Sequence, residues 1–125
     1  MMSKFVKVTT ELRDLALIKR SLDDLKLSYQ EDARYVHLFS GTASRVPVLV
    51  NSGKAQFGLR QTEEGIYEAV GDDMQVGSIR ATLNRVQQRY AYHKVVDETA
   101  VAGFDLVEES VGRDNVIRLT VRRWS

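Results

Sequence analysis

Three turn-forming triplets, Ser40-Gly41-Thr42, Asn51-Ser52-Gly53 and Glu63-Glu64-Gly65, punctuate the middle of the chain and constrain its fold more than any other feature. Each supplies residues that tolerate tight or left-handed backbone geometry, and each separates short runs of extended character. The runs are Leu27 to Gln30, Tyr35 to Phe39, Val46 to Val50, Ala55 to Arg60 and Ile66 to Val70. An antiparallel meander is the economical way to join them. Pro47 has no N–H to give a ladder, so its strand is expected at a sheet edge or at its own beginning.

The flanking segments switch period. Phe5 to Thr9 alternates, with Val6 and Val8 on one face and Phe5, Lys7 and Thr9 on the other, as a strand would. From Leu12 onward Leu15, Ile18, Leu22 and Leu25 recur at steps of three and four, which places them in one stripe of an amphipathic helix capped by Thr10 or Asp14. Around Gly71-Asp72-Asp73-Met74 the pattern breaks. Ser78 then reads as the cap of a second helix carrying Ile79, Leu83, Val86 and Tyr90, with a drift of the stripe near Ala91 that predicts a bend or break. Gly103 suits the helix end, because glycine enters the left-handed region without steric penalty. Phe104 to Glu109 and Asn115 to Trp124 read as a hairpin around Gly112-Arg113-Asp114.

The order β-α-β(several)-α-β-β lacks the regular β-α-β repeat of a doubly wound fold. The expected class is therefore α+β, an antiparallel sheet of about five to seven strands with two helices packed on one face. At 125 residues the chain fits a single domain, 1–125. Its 43% hydrophobic and 28% charged content is that of a chain able to bury a core.

Composition also removes function classes. Without cysteine there is no disulfide framework, thiolate metal site or cysteine nucleophile. The 18 basic and 17 acidic side chains leave little long-range pull on nucleic acid. No run approaches the roughly 20 apolar residues that span a bilayer, and the amino terminus lacks a secretion signal, so the expected location is cytoplasmic.

His37 and His93 lie in separate elements without an H-x-x-x-H or H-E-x-x-H pair, and both read as structural rather than metal-binding. Neighbouring carboxylates such as Asp23-Asp24 diverge along a strand or helix and rarely meet on one substrate atom, and Asp72-Asp73, in a Gly-flanked loop, lacks the alternating oxygen ligands of a calcium loop. Neither G-x-G-x-x-G, nor a Walker loop, nor a G-x-S-x-G elbow occurs. No catalytic residue, metal or cofactor is therefore assigned, and the chain is expected not to be an enzyme.

Surfaces are better candidates. Ile117, Leu119 and Val121 alternate with Arg118, Thr120 and Arg122, which predicts a core face and an arginine face, with Trp124 on the latter. Lys7, Arg34, Arg60 and Tyr67 are expected to join it, giving a basic open sheet face with aromatic interruptions. Tyr90 and Tyr92 point about 200° apart on a helix, which leaves two readings: one packs inward while the other, with Arg89, offers an exposed contact, or both rings complete the core near a helix bend.

Ser3-Lys4-Phe5, Leu12-Arg13-Asp14-Leu15 and Gln88-Arg89-Tyr90-Ala91-Tyr92 resemble the uncharacterised family typified by hypothetical chloroplast open reading frame thirty-five, of algal plastids, cyanobacteria, other bacteria and phage. The resemblance implies a small non-membrane protein with no cofactor or catalytic residues to carry over. It adds plastid stroma and, for a phage-encoded chain, host cytoplasm to the expected locations. The leading functional expectation is a non-enzymatic binding or adaptor protein, self-associating or contacting a protein partner through Arg118, Arg122, Trp124, Arg89 and Tyr92. Two other readings stand beside it: single-stranded nucleic-acid binding through Lys7, Arg60, Arg118 and Arg122, and small-molecule binding between subunits.

Overall fold

The computed structural model describes residues 4–111 and 117–123, with side chains described through Gly103. Residues of the expected contact set therefore divide: Trp124, like the turn at Gly112-Arg113-Asp114, lies outside the described residues, and Arg118 and Arg122 are placed by backbone and register alone.

The chain runs β1 (Phe5–Thr9), α1 (Leu15–Asp24), β2 (Ser28–Val36), β3 (Ala43–Asn51), β4 (Gln56–Gln61), β5 (Tyr67–Asp72), a 3-10 turn (Asp73–Gln75), α2 (Val76–Val101), β6 (Phe104–Val111) and β7 (Ile117–Arg123). The first five strands form one sheet in the order β1-β5-β4-β3-β2, antiparallel throughout, while β6 and β7 pair only with each other. The α+β expectation is met, with both helices on one face of the sheet. Ile18 and Leu22 of α1 and Ile79, Leu83, Val86 and Tyr90 of α2 share a core with Val8, Val48, Val50, Phe57, Leu59, Tyr67 and Ala69 of the strands.

Local chemistry sets the helix ends. α1 starts at Leu15 rather than Leu12, because the Asp14 carboxylate accepts the N–H groups of Ala16 (2.9 Å) and Leu17 (3.3 Å). Leu12 lies just before it, buried in the core. The start of α2 corrects the expectation at Ser78: Asp72 accepts Met74 N–H at 2.8 Å, nucleates the 3-10 turn, and the helix proper begins at Val76. The expected break near Ala91 is also absent, since α2 continues without interruption for 26 residues. Beyond Ala91 the contact with α1 turns polar, through His93 and Asp97, and the helix also packs against β6. Gly103 follows α2 with φ +87°, as expected of a residue that stops a helix.

Two strand expectations fail for one shared reason. The runs expected at Leu27–Gln30 and Tyr35–Phe39 merge into a single strand, β2, which ends at Val36 and leaves Leu38 and Phe39 in the turn that follows, and Pro47 lies inside β3, which has neighbours on both sides. Pro47 is accommodated by interruptions in both ladders. Its pairing with β4 stops at Val48↔Leu59, and on the β2 side the ladder passes from Glu31↔Val48 to Ala33↔Val46 without an Asp32–Pro47 pair. Asp32, opposite the proline, takes a left-handed φ of +53°.

This interruption reverses the alternation of both strands. Tyr29, Val48 and Val50 face the helices, whereas Ala33, Tyr35 and Val46 join a second cluster with Leu49, Val70 and Phe5. Those latter residues lie on the sheet face away from the helices. The distal half of the β2–β3 hairpin, residues 33–46, is thus an arm folded across the outer face of its own sheet.

Candidate partner-binding site

The arm is held along its length. At its root, a Cβ on Gly58 would stand 2.7 Å from Val46 Cγ1 and 3.1 Å from Val70 Cγ2, so the absent side chain is what lets the arm lie flat on β4. Midway, Arg60 donates from Nη1 to Ser44 Oγ (2.9 Å) and from Nε to Glu68 Oε1 (2.9 Å). Towards the tip the Phe5 ring meets Tyr35 and His37, with centroids 6.3 and 6.0 Å away. Burial, then the nearby Asp72 carboxylate, raises the Tyr35 phenol above its ordinary value.

His37 makes the terminal attachment. Only 1% exposed, it places Nε2 3.1 Å from Asp72 Oδ2, and its Nδ1 lies 3.2 Å from the Ser40 N–H and 2.6 Å from Ser40 Oγ. A backbone N–H can only donate, so Nδ1 carries the lone pair and Nε2–H donates to Asp72. Serine, histidine and aspartate stand in a row, and with Nδ1 as acceptor the Ser40 hydroxyl is the only donor across their 2.6 Å contact. Ser40 Oγ accepts Thr42 N–H at 3.2 Å and lies 2.9 Å from Thr42 Oγ1, and it does not line the adjacent cleft. The arrangement ties the tip to β5.

Beside this tether lies a shallow cleft of about 150 Å³ lined by Tyr35, Val36, His37, Leu38, Phe39, Gln56, Asp72 and Gln75. Its rim carries apolar side chains in water. Leu38 is 87% exposed and Phe39 65%, with Val36 at 45% and Met74, next to Gln75, at 72%. Leu38 and Phe39 sit at the turn into β3, where a hairpin tip would ordinarily be polar.

The residues singled out from sequence do not converge here. Lys7 is exposed on the outer face, Arg60 is held under the arm by Ser44 and Glu68, Arg34 rides on the arm, and Tyr67 faces the helices. Arg118 and Arg122 belong to the separate β6–β7 ladder, opposite Ser110 and Asp105 in register. The single continuous basic face is thereby corrected: its members lie on different sheets, and the arm covers part of the surface expected to be open.

Arg89 and Tyr92 stand together on α2, the guanidinium 4.3 Å above the ring. Arg89 also donates to Asp24 Oδ2 at 3.1 Å, and the same oxygen takes His93 Nε2. On the other side of the imidazole, Arg20 Nη2 lies 3.2 Å from His93 Nδ1 while Nη1 reaches Asp97 at 3.0 Å. A guanidinium only donates, which makes His93 Nδ1 an acceptor and Nε2–H the donor to Asp24. Burial pulls the Asp24 carboxyl upward, but hydrogen bonds and charge from His93 and Arg89 outweigh it and hold the group below the usual carboxylate range.

At the other end of α1, Tyr90 is buried and its hydroxyl accepts the N–H groups of Arg13 (3.1 Å) and Asp14 (3.0 Å). Gln87 Oε1 accepts Glu11 N–H at 3.0 Å. The segment Gln87–His93 thus clamps both ends of α1, with Tyr90 buried and Tyr92 half-buried against Arg89 and His93.

The apolar tip and its cleft were not found by periodicity. Val36, Leu38 and Phe39 look like an ordinary strand run, and only their exposure separates them from core. The signal available in the sequence was the proline opposite Asp32, which marks where the hairpin turns over.

Comparison with known proteins places the chain in a family. Residues 21–120 match the family model described as "Protein of unknown function (DUF1257)". The chain is 28% identical to the uncharacterized protein ycf35 of Pyropia yezoensis over 127 aligned residues, covering 99% of each chain. It is 30% identical to the ycf35 protein of Guillardia theta and 28% identical to that of Cyanophora paradoxa, in each case over 98% of both chains. No solved protein structure matches it. From residue 21 to residue 120, through α1, the five-stranded sheet's hairpins, α2 and the terminal ladder, the chain belongs to the DUF1257 family of ycf35-like proteins.

Proposed function

We propose that this protein is a non-enzymatic binding or adaptor protein that works through protein–protein contacts at the tip of the folded-over arm. The carrying observation is the exposure of Val36, Leu38 and Phe39, which line the His37 cleft. Large apolar side chains left in water on a segment fastened by Arg60, Phe5 and Asp72 are a surface already ordered for contact. Removing one such side chain from water on binding contributes roughly 1.5–3 kcal/mol. The site works in a cytoplasm-like compartment in this reading; no helix among the described residues is long and apolar enough to cross a membrane.

The test is affinity purification from the native host with wild type and a Leu38→Asp, Phe39→Asp double variant. The variant is expected to lose a partner while its unfolding midpoint stays within about 0.5 kcal/mol of wild type, because both positions are exposed. Full recovery of every partner by the folded variant would end this reading. A parallel Arg118→Ala, Arg122→Ala, Trp124→Ala variant tests the terminal hairpin as a second contact. Loss of the partner there alone would move the site from the arm to β7.

A further inference from the structure

Resting on the arm as the contact site, the geometry points to a specific occupant: an extended acidic and apolar segment of a partner protein, added as a strand to the free edge of β2 at Arg34 to Val36. β2 is a terminal strand of its sheet. His37 N–H donates to Thr42 O at 2.8 Å, which sets the phase of the arm's ladder. His37, Tyr35 and Ala33 therefore bond inward to β3, and the N–H and C=O groups of Arg34 and Val36, paired in register with Arg45 and Ala43, point to the open edge. The same edge forms one wall of the His37 cleft, with Gln56, Asp72 and Gln75 on the other.

Charge complementarity selects the occupant. Arg34 is exposed and has no ion partner among the described residues, in contrast to Arg45 on the neighbouring strand, which is bidentate on Asp32 at 3.0 and 3.1 Å. An incoming strand would place a carboxylate beside Arg34 and apolar side chains beside Val36, Leu38 and Phe39, with main-chain bonds along the edge. The unbonded Arg34 also disfavours a second copy arranged with Arg34 against Arg34, since like charges directly opposite destabilise a sheet.

The experiment uses the full chain and a short fluorescein-labelled peptide alternating valine with glutamate, read by anisotropy. Wild type is expected to bind it at least about tenfold more tightly than the lysine-for-glutamate peptide, and Arg34→Glu is expected to reverse that preference. Methylating alternate backbone amides of the peptide on its bonding edge should weaken binding by a similar factor, while Lys94→Glu, at an exposed position on α2, should leave it unchanged.

Absent binding, or equal binding of the acidic and basic peptides, overturns the choice of occupant. Undiminished affinity of the N-methylated peptide overturns strand addition. Sedimentation of the free protein as a dimer that dissociates on Val36→Lys would give the edge to a second copy and refute the inference. These failures leave the proposed function standing if the Leu38→Asp, Phe39→Asp variant still loses its partner in the purification, so the two claims fail separately.

Discussion

Replacing Gly58 by alanine adds a methyl group 2.7 Å from Val46 Cγ1, 3.1 Å from Val46 Cγ2 and 3.1 Å from Val70 Cγ2. All three carbons belong to short, branched side chains that are buried and stiff at χ1, so neither valine can swing aside as the end of a long side chain would. Overpacking of this kind costs about 1–3 kcal/mol. A lower unfolded-state entropy returns about 0.4–1 kcal/mol, leaving a net loss of about 1–2 kcal/mol. Val46→Ala alone removes two methyl groups from the arm's underside and is expected to cost roughly 2 kcal/mol. In the double variant the new methyl occupies the space that Val46 vacates. The combined loss should therefore fall short of the sum by about 1 kcal/mol or more, well beyond the error of additivity for independent sites. Urea unfolding of wild type, both single variants and the double variant closes the cycle. Strict additivity would refute the arm's contact with β4.

Three further perturbations address the helix clamp and the strained backbone. Tyr90→Phe leaves the N–H groups of Arg13 and Asp14 without their acceptor and should lower stability by about 1–2 kcal/mol in chemical denaturation. Asp24→Asn tests the pH dependence. Because the folded carboxyl is held low by His93 and Arg89, its contribution is present above the ordinary carboxylate pKa near 4 and fades as pH falls through the folded value. With Asp24 35% exposed, that contribution is screened to about 1 kcal/mol, and the gap between wild type and variant should be largest at neutral pH and close in acid. Lys26 follows α1 with φ +56°, a conformation glycine adopts freely, so Lys26→Gly should raise the unfolding midpoint by about 0.5–1 kcal/mol.

Much of the layer structure is legible in local patterns. Asn51-Ser52-Gly53 and Glu63-Glu64-Gly65 separate β3, β4 and β5 as their turn chemistry demands, and the spacing of Ile18 and Leu22 gives the buried stripe of α1. What escapes is pairwise. Glu31 to Arg34 is polar and reads as a gap, yet the segment is strand because β3 pairs with it on both sides of Asp32. Pro47 is tolerated inside the sheet because the residue opposite turns left-handed, a coincidence between positions distant in sequence that no window of periodicity contains.

The candidate site was less legible than the fold for the same reason. Arg60 has the sequence signature of a surface cation, and only the arm above it supplies Ser44 as an acceptor. Conversely Leu38 and Phe39 have the signature of core, and only the reversal at Asp32 leaves them outside. His37 was expected to be structural, and its geometry with Asp72 and Ser40 supports that role. The buried Tyr90 follows from helical geometry because α2 passes through the segment without a break, whereas Tyr92 is half-buried against Arg89 and His93.

Two-dimensional NMR of the uniformly labelled protein tests the folded-over arm most directly. Nuclear Overhauser contacts from the Phe5 ring to Tyr35 and His37, together with a His37 imidazole protonated on Nε2 and unprotonated on Nδ1 at neutral pH, are the predicted result. A His37 imidazole carrying its proton on Nδ1 and a Phe5 ring without contacts to the arm would contradict the account.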